Sequence, residues 1–381
     1  MLLTVKVKLL PNDEQKQQLL ATMEAFNKAC DMVSVDAFAC RCFNKFAIQA
    51  KLYKRIREEY RLSAQLSVRC ISKVVESYKA DITNICERNK RRAPDMPKEE
   101  LTVHTFRPHS AIVYDQRILS WKGLDNVSIT ALDGRLIIPT VVGGKYAPLE
   151  MSRVKGQADL IYVNRQFYLC AIVDVPEEAP LTPDGYLGID LGVVNLAVDS
   201  DGNTYEGKRV EESRQKYGLL KVKLQGVGTK SAKKHLKKVS KKESRFKADE
   251  NHRISKAVVS LAKGTGRGIA LEELTHINVR STVRKAQRDS RSKWAFSQLR
   301  QFITYKAMLA GVPLVIIDPK NTSRQCSACG HIAESNRPTR SDFRSVCCGH
   351  SENADLNAAK NIRNRAAIIQ PMVVRPAGEA A

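Results

Sequence analysis

The chain has 381 residues, which indicates two or three domains at ~150 residues per domain. Of these residues 43% are hydrophobic and 27% are charged, a composition that excludes a collagen-like or wholly disordered protein. No stretch approaches the ~18 apolar residues of a membrane span and the N-terminus lacks the pattern of a signal peptide, so we expect a cytoplasmic protein without a membrane partner. The 63 Lys and Arg outnumber the 40 Asp and Glu by 23 charges, which indicates nucleic acid as the partner, because counterions released from phosphates supply affinity.

The first half of the sequence predicts a small β-barrel interrupted by helices. Residues 2–10 alternate between apolar and polar side chains, which is typical of a strand. Asn12 then starts a helix-like segment, and a second helical pattern runs from about residue 63 to 85. Five short β-rich runs follow between residues 103 and 175. We therefore expect the helices to be inserted after the first strand of the barrel, and residues 176–183 to form a linker.

The second half begins with two short strands around a turn, over residues 184–199, and continues with a strongly basic stretch. Residues 208–247 hold fifteen Lys or Arg against three Glu, a net charge of +12, and too few large apolar residues to build a core alone. This stretch is either a solvated helix or disordered arm, or a helix that faces phosphates and folds fully on nucleic acid. We favour the second interpretation, because the stretch lies inside a domain. The candidate phosphate contacts are Lys233, Lys234, Lys237, Lys238, Lys241 and Lys242.

Further along, apolar runs predict a buried strand that ends at Glu272-Glu273, a helix over residues 294–310 and a strand over residues 312–317. Residues 278–293 are basic and polar and predict a mobile loop, and residues 371–381 predict a frayed end.

Three acids stand where predicted strands end or a helix begins: Asp190, Glu272 and Asp355. Each has an ordinary structural interpretation, and Asp355 could simply cap its helix. Together they follow the order in which a ribonuclease-H-like sheet gathers carboxylates. Such a cluster would hold two divalent ions about 3.5–4 Å apart for phosphodiester hydrolysis, and oxygen ligands favour Mg²⁺ or Mn²⁺ over zinc.

Four of the ten cysteines crowd into residues 326–348 and predict a zinc ribbon. Cys326 and Cys329 form a C-x-x-C knuckle, and a second knuckle should begin at residue 345, where Ser345 stands instead. A ribbon-shaped fold with weak or no metal is the alternative. The candidate zinc ligands are Cys326, Cys329 and Cys348, with Cys347 or His350 as the fourth.

The ordered set of motifs resembles the TnpB (OrfB) family of transposon-encoded RNA-guided DNA endonucleases, relatives of the type V CRISPR effector nucleases. Residues 188–192, 269–274 and 354–362 are similar to the three RuvC motifs of that family. The cysteine knuckle at 326–330 lies between the last two motifs, in the family's order. The resemblance covers about residues 1–365, and Ser345 departs from it at a position that is usually cysteine.

The resemblance implies a function and partners. Asp190, Glu272 and Asp355 match the family's catalytic, Mg-binding positions, with Glu272 rather than Glu273 as the second acid. A guide RNA from the transposon end would pair with target double-stranded DNA beside a short transposon-associated motif, and base pairing would supply the sequence specificity. The protein would act as a monomer in the complex, in the nucleoid of a prokaryotic cytoplasm.

The resemblance also implies an α+β multidomain fold, in which a RuvC (ribonuclease-H-like) domain is interrupted by a zinc ribbon. The expected domains are a wedge-like β-barrel (1–11 and 101–178), a helical recognition insert (12–100), the RuvC-like nuclease domain (184–319 and 351–370), a zinc-ribbon insert that binds target nucleic acid (320–350) and a flexible tail (371–381).

Two other functions are compatible with the same family. A catalytically silent RNA-guided DNA-binding regulator should have lost at least one acid, and all three are present. A transposase or transposase accessory protein could use a RuvC-like centre, although no Tyr or Ser nucleophile in a basic cradle stands out.

Overall fold

A computed structural model describes residues 1–93, 95–123, 125–142, 154–192, 194–273 and 296–369. The chain divides into two compact units, Met1–Val175 and Pro176–Ala381. The predicted mobile loop at 278–293 and the predicted frayed end at 371–381 lie outside the described residues. No helix within the described ranges has the length and apolar character needed to cross a lipid bilayer.

The first unit contains a seven-stranded antiparallel sheet with the N-terminal strand at its centre. Its strands are β1 (Leu2–Leu9), β2 (Ile112–Tyr114), β3 (Leu119–Lys122), β4 (Asn126–Ala131), β5 (Gly134–Val142), β6 (Val154–Val163) and β7 (Gln166–Asp174). Their order is β2-β6-β7-β1-β5-β4-β3. The two edge strands, β2 and β3, are neighbours in sequence, so the sheet is nearly closed. The five predicted runs correspond to β2 and β4–β7. The short β3 was missed because its four residues, Leu-Ser-Trp-Lys, give almost no periodic signal.

Three helices lie between β1 and β2: α1 (Asp13–Ala39), α2 (Lys45–Tyr60) and α3 (Ala64–Lys90). The predicted helix start at Asn12 is confirmed, and it forms a capping box: Asn12 Oδ1 accepts the Gln15 N–H at 2.8 Å and Gln15 Oε1 accepts the Asn12 N–H at 3.1 Å. Large apolar side chains of α1 and α3, among them Phe26 and Tyr78, are fully buried. The helices therefore bury apolar faces, and this tertiary packing supplies most of the stability of a helix in a protein.

The second unit is built on a five-stranded mixed sheet. Its strands are β8 (Tyr186–Asp190), β9 (Asn195–Asp199), β10 (Thr204–Glu206), β11 (Gly268–Glu272) and β12 (Leu314–Ile317), in the order β10-β9-β8-β11-β12. β11 pairs in parallel with both β8 and β12, whereas β9 pairs antiparallel with β8 and β10. The carboxyl ends of β8, β11 and β12 therefore lie at one edge of the sheet, which is where open α/β sheets place their ligands.

Helices cover both faces of this sheet: α4 (Lys208–Val227), α5 (Lys230–Gly264), α6 (Phe296–Leu309) and α7 (Ala354–Ile368). Side chains of α5 and α6, including Val258 and Ile303, pack with Leu187 and Leu271 on one face. On the other face, Ile362 of α7 packs with Tyr186 and Ala270, which point to the opposite side of β8 and β11. Between β12 and α7, a small two-stranded ribbon is formed by β13 (Asp342–Arg344) and β14 (Ser351–Asn353).

The basic stretch at 208–247 forms two packed helices, α4 and the first half of α5. Its few apolar residues are enough to pack the two helices together, because they follow one line of α5 at alternating steps of four and three residues. This is the spacing of a coiled-coil seam. The buried or half-buried residues on this line are Ala232, Leu236, Val239, Glu243, Phe246 and Glu250. Lys221 and Lys247 both pair with the buried Glu243, so its charge is compensated.

Candidate functional site

Two of the predicted acids end adjacent parallel strands. Asp190 is the last residue of β8 and Glu272 is the last residue of β11, and the register pairs the residues just before them, Ile189 with Leu271. Side chains one position further on lie level with each other at the same edge. The strand-then-acid pattern of the sequence therefore corresponds to two neighbouring carboxylates.

Asp355 joins them from the first turn of α7, which packs against β8. It does not cap its helix, so that structural interpretation was wrong. The cap is Asn353, whose Oδ1 accepts the N–H groups of Asp355 at 2.9 Å and Leu356 at 3.3 Å. The Asp355 carboxylate is instead held by Asn195 at the start of β9, whose Nδ2 donates to Oδ2 at 3.0 Å, and lies 3.9 Å from the Arg337 guanidinium.

The electrostatics of the site oppose ionised carboxylates. Burial raises the pKa of Asp190 well above its usual value, and repulsion from Glu272 and Asp355 raises it further, against the weaker opposite influence of Arg337. Burial likewise raises the pKa of Glu272, which is 8% exposed, although Thr322 and Arg365 partly offset this effect. The cluster therefore holds more negative charge than nearby cations neutralise.

This donor set suits a hard divalent cation. Three carboxylates converge from separate segments and offer only oxygen, the ligand atom that Mg²⁺ and Mn²⁺ prefer. Among the described residues, the acids do not form a group whose ligand atoms all lie within 4.8 Å of one another.

The cysteine cluster forms a second candidate metal centre, in the ribbon. One ligand atom from each of Cys326, Cys329 and Cys348 lies within 4.8 Å of the others. Cys347 and His350 are not part of this group, and His350 Nε2 is 2.9 Å from Glu352 Oε1. Hydrogen bonds, first with Ser345 and then with the His350 backbone, lower the pKa of Cys348 to about 6. The thiolate that zinc requires is therefore accessible at neutral pH.

The six predicted phosphate contacts lie together on the outer face of α5. Their spacing places them in two adjacent rows, opposite the buried seam. These lysines are Lys233, Lys234, Lys237, Lys238, Lys241 and Lys242. All six are exposed, and none of them pairs with an acid among the residues that the structure describes. In contrast, Lys221 and Lys247 are committed to Glu243. The α4–α5 pair thus has lysines that bind a buried acid and, on the outer face of α5, lysines that are available to a ligand.

Two open cavities flank the acids. One, of about 590 Å³, is lined in part by Asn195, Lys208 and Arg214. The other, of about 660 Å³, is lined in part by Asp318 and Lys320, which follow β12. Both linings combine acidic and basic side chains: Glu206 and Glu211 also line the first cavity, and Glu273 also lines the second.

Two family models match segments between residues 169 and 362. The model OrfB_IS605, described as "Probable transposase", matches residues 169–286, and the model described as "Cas12f1-like, TNB domain" matches residues 296–362.

Known relatives extend the similarity beyond these segments. The CRISPR-associated endodeoxyribonuclease Cas12f1 of Sulfoacidibacillus thermotolerans is 28% identical over 343 residues, 80% of this chain and 77% of the relative. The putative RNA-guided DNA endonuclease InsQ of Escherichia coli is 28% identical over 218 residues, and the chain spans about half of its length, 53%. A TnpB-like protein of Methanocaldococcus jannaschii is 31% identical over 174 residues, 41% of this chain and 62% of the relative.

The chain is similar to the TnpB (OrfB) family and to its CRISPR-associated relatives. This confirms the resemblance that the order of the motifs indicated. Solved Cas12 structures share the fold of this chain: a Cas12f1–sgRNA–target DNA complex superposes with a TM-score of 0.62 at 16% identity, over 92% of this chain and 82% of that chain. CasPhi-2 bound to crRNA gives 0.61 at 10% identity, over 97% and 98%.

Sequence reasoning missed several neighbours of the three acids. Asp318 directly follows β12 and raises the pKa of Glu272, yet it carries the same signal, an acid after a buried strand, that identified the others. Asn195 and Arg337 gave no such signal, because each reaches Asp355 from a segment far away in sequence.

Proposed function

We propose that the protein is an RNA-guided DNA endonuclease of an insertion sequence, with a RuvC-type centre that hydrolyses phosphodiesters with the help of two divalent metal ions. The observation that carries this proposal is the convergence of Asp190, Glu272 and Asp355, from two parallel strands and one helix, at the carboxyl edge of one sheet. The names of the relatives support the guided reaction on DNA.

In this proposal the three carboxylates hold Mg²⁺ or Mn²⁺. When bound, the ions would activate water on one side of the scissile phosphate and stabilise the leaving oxygen on the other. The chain's own residues prepare the site for them: Asn195 fixes the orientation of the Asp355 carboxylate, and the Asn353 cap fixes the helix start that carries it. Burial and repulsion between the acids raise the pKa of Asp190, and a bound cation would relieve that repulsion.

We assign the other parts of the chain by the same proposal. The wedge-like barrel is the seven-stranded sheet, the recognition insert is α1–α3, and these parts would read the target-adjacent duplex. The exposed lysines of α5 would hold phosphates of the guide RNA or of its hybrid with DNA, through charge and shape rather than sequence. The ribbon would bind zinc and contact the target nucleic acid.

The first test is to express the protein with its native flanking DNA and to sequence the RNA that purifies with it. We expect one abundant RNA that ends at the boundary of the element, and cleavage of a matching plasmid that depends on Mg²⁺. Heterogeneous RNA, or none, would contradict the guided activity. Intact plasmid with a specific bound RNA would instead favour the silent regulator.

The Asp190→Ala variant separates cutting from binding. It should abolish cleavage and retain RNA binding, because Asp190 lies at the acid site and not among the lysines of α5. Loss of RNA binding in a folded Asp190→Ala protein would contradict this division of roles. Asp201→Asn, an acid of the β9–β10 turn that pairs with Arg267, is the matched control and should keep both activities.

A further inference from the structure

The two turns that carry the ribbon's thiols have the same backbone structure. In the first turn, the Cys326 N–H donates to the His331 carbonyl at 2.9 Å, and the Cys326 carbonyl accepts the Gly330 N–H at 2.9 Å. In the second turn, the Ser345 N–H donates to the His350 carbonyl at 2.8 Å, and the Ser345 carbonyl accepts the Gly349 N–H at 3.0 Å.

The glycines confirm this equivalence. Gly330 and Gly349 have φ angles of 76° and 74°, a left-handed conformation that side chains disfavour. Both turns are therefore knuckles of one geometry, and each position of the first has a counterpart in the second. Ser345 corresponds to Cys326, and Cys348 corresponds to Cys329.

The distances between side chains agree with a tetrahedral centre. Zinc binds thiolate sulfur at about 2.3 Å, so neighbouring ligands of a tetrahedron lie roughly 3.8 Å apart. Cys326 Sγ is 3.7 Å from Cys348 Sγ, and Cys329 Sγ is 3.7 Å from Ser345 Oγ. The Ser345 oxygen thus stands where a fourth sulfur would complete the set.

Neither alternative ligand fits this geometry. Cys347 corresponds to Ala328, the position of a knuckle that does not face the metal, and its backbone N–H donates to Ser345 Oγ at 3.3 Å. His350 corresponds to His331 and lies beyond the knuckle's glycine, with its Nε2 engaged by Glu352. Both residues lie outside the group of three converging thiols.

We propose that the ribbon of this protein binds zinc through three thiolates, with the hydroxyl oxygen of Ser345 at the fourth corner. A neutral hydroxyl is a weaker zinc ligand than a thiolate, so the fourth position exchanges more readily. The bound centre also carries one negative charge fewer than a four-cysteine centre, which favours its approach to a phosphate backbone.

The ribbon is connected to the helix that carries Asp355. The Ser327 N–H of the first knuckle donates to Asn357 Oδ1 at 2.9 Å, and Asn357 Nδ2 donates to the Gln325 carbonyl at 2.8 Å. Asn361 Nδ2 donates to the carbonyl of Thr322 at 2.9 Å. Removal of the metal would therefore loosen the hydrogen bonds that hold the N-terminal part of α7.

The test measures metal binding by the full-length protein and does not depend on nuclease activity. Zinc is replaced by Co²⁺, and the sulfur-to-cobalt charge-transfer absorption reports the number of thiolates; zinc affinity is measured by competition with a chromophoric chelator. The wild-type protein should show three thiolates. Ser345→Cys should add the fourth and bind zinc at least about tenfold tighter, since even changes beyond the ligands shift metal affinity by 10–100-fold.

Two further variants distinguish the ligands. Cys347→Ser should leave both the spectrum and the affinity unchanged, whereas Ser345→Ala should weaken binding and keep three thiolates. A loss of one thiolate in Cys347→Ser would overturn the proposal, as would a Ser345→Ala protein that binds zinc like the wild type. Failure of the folded wild-type protein to bind zinc or Co²⁺ would overturn it as well.

Discussion

Asp190 occupies a position that is unfavourable for an ionised carboxylate, and this has a measurable consequence. Its pKa is raised by burial and by two neighbouring acids. An acid whose pKa is higher in the folded than in the unfolded protein stabilises the fold at low pH, and this contribution is lost as the pH rises through the folded pKa. In protein without added Mg²⁺, Asp190 therefore makes the fold less stable at neutral pH than at low pH.

We predict that Asp190→Asn raises the free energy of unfolding at pH 7 in protein without added Mg²⁺. The substitution removes a carboxylate whose ionisation the fold opposes, so the variant should be the more stable protein at this pH. The gain in stability should shrink below pH 4, near the usual pKa of aspartate, and Mg²⁺ should stabilise the wild type more than the variant. Urea unfolding across this pH range measures the effect, and a variant less stable than the wild type at pH 7 would contradict it.

Glu272 and Glu273 are adjacent and form a matched pair for a test of roles. Glu272 is buried at the acid site, whereas Glu273 makes two charged hydrogen bonds with Arg300, at 2.6 and 2.8 Å. We predict that Glu272→Gln abolishes cleavage, because it removes a metal-binding charge. Glu273→Gln should retain most of the activity and cost about 0–1 kcal/mol of stability, as for a partly exposed ion pair. Cleavage rates and melting curves of both variants check this, and the reverse ranking would mean that the wrong acid was chosen.

At the scale of elements, the contact between β8 and α7 sets the position of the acids. A methyl group added to Gly188 would lie 2.2 Å from the Ala359 carbonyl oxygen and 2.5 Å from the Arg363 nitrogen, both backbone atoms of α7. We predict that Gly188→Ala displaces the helix that carries Asp355, at a cost of about 1–3 kcal/mol, and impairs cleavage. Gly218→Ala in α4, where nothing lies within 4 Å, is the control and should be neutral or stabilising. Equal melting temperatures for wild type and Gly188→Ala would show that the helix can move without cost.

The outer face of α5 offers a test of phosphate binding. We predict that changing its six exposed lysines to Glu weakens RNA binding and makes that binding less dependent on salt. The slope of log K against log salt should flatten by about 0.7 for each single-strand phosphate that the helix no longer neutralises. The helix should stay folded, because its buried seam is untouched. Changing the same six lysines to Arg keeps the charge and is the control. An unchanged slope in the Glu variant would show that this face does not contact phosphates.

The elements also show what the sequence could and could not reveal. Alternation and helical spacing located most strands and helices, because these patterns are local. The packing of α4 against α5 was not expected from the sequence, because the seam has few apolar residues and depends on a partner helix that no local pattern reveals. Asp318 carried the local signal of an acid directly after an apolar strand, but its place beside Glu272 also requires β12 to pair with β11, a contact between segments more than 40 residues apart.

At the scale of the whole molecule, a net charge of +23 should make stability depend on salt in opposite ways with and without RNA. Without RNA, added salt screens the repulsion among excess positive charges and should raise the melting temperature. With bound RNA, added salt raises the Kd of the complex and should therefore lower the melting temperature. A ligand at a hundredfold its Kd stabilises the fold by about 2.7 kcal/mol, and this stabilisation shrinks as Kd rises.

The measurement is a pair of melting curves over a salt series, one on protein stripped of nucleic acid and one on protein with the RNA that purifies with it. We expect slopes of opposite sign. An RNA of the same length and scrambled sequence is the control, because it carries the same charge. If the scrambled RNA stabilises the protein as much as the native RNA does, charge alone accounts for binding and the protein does not select a particular guide. If the native RNA stabilises the protein more at every salt concentration, a folded feature of that RNA is recognised in addition to its phosphates.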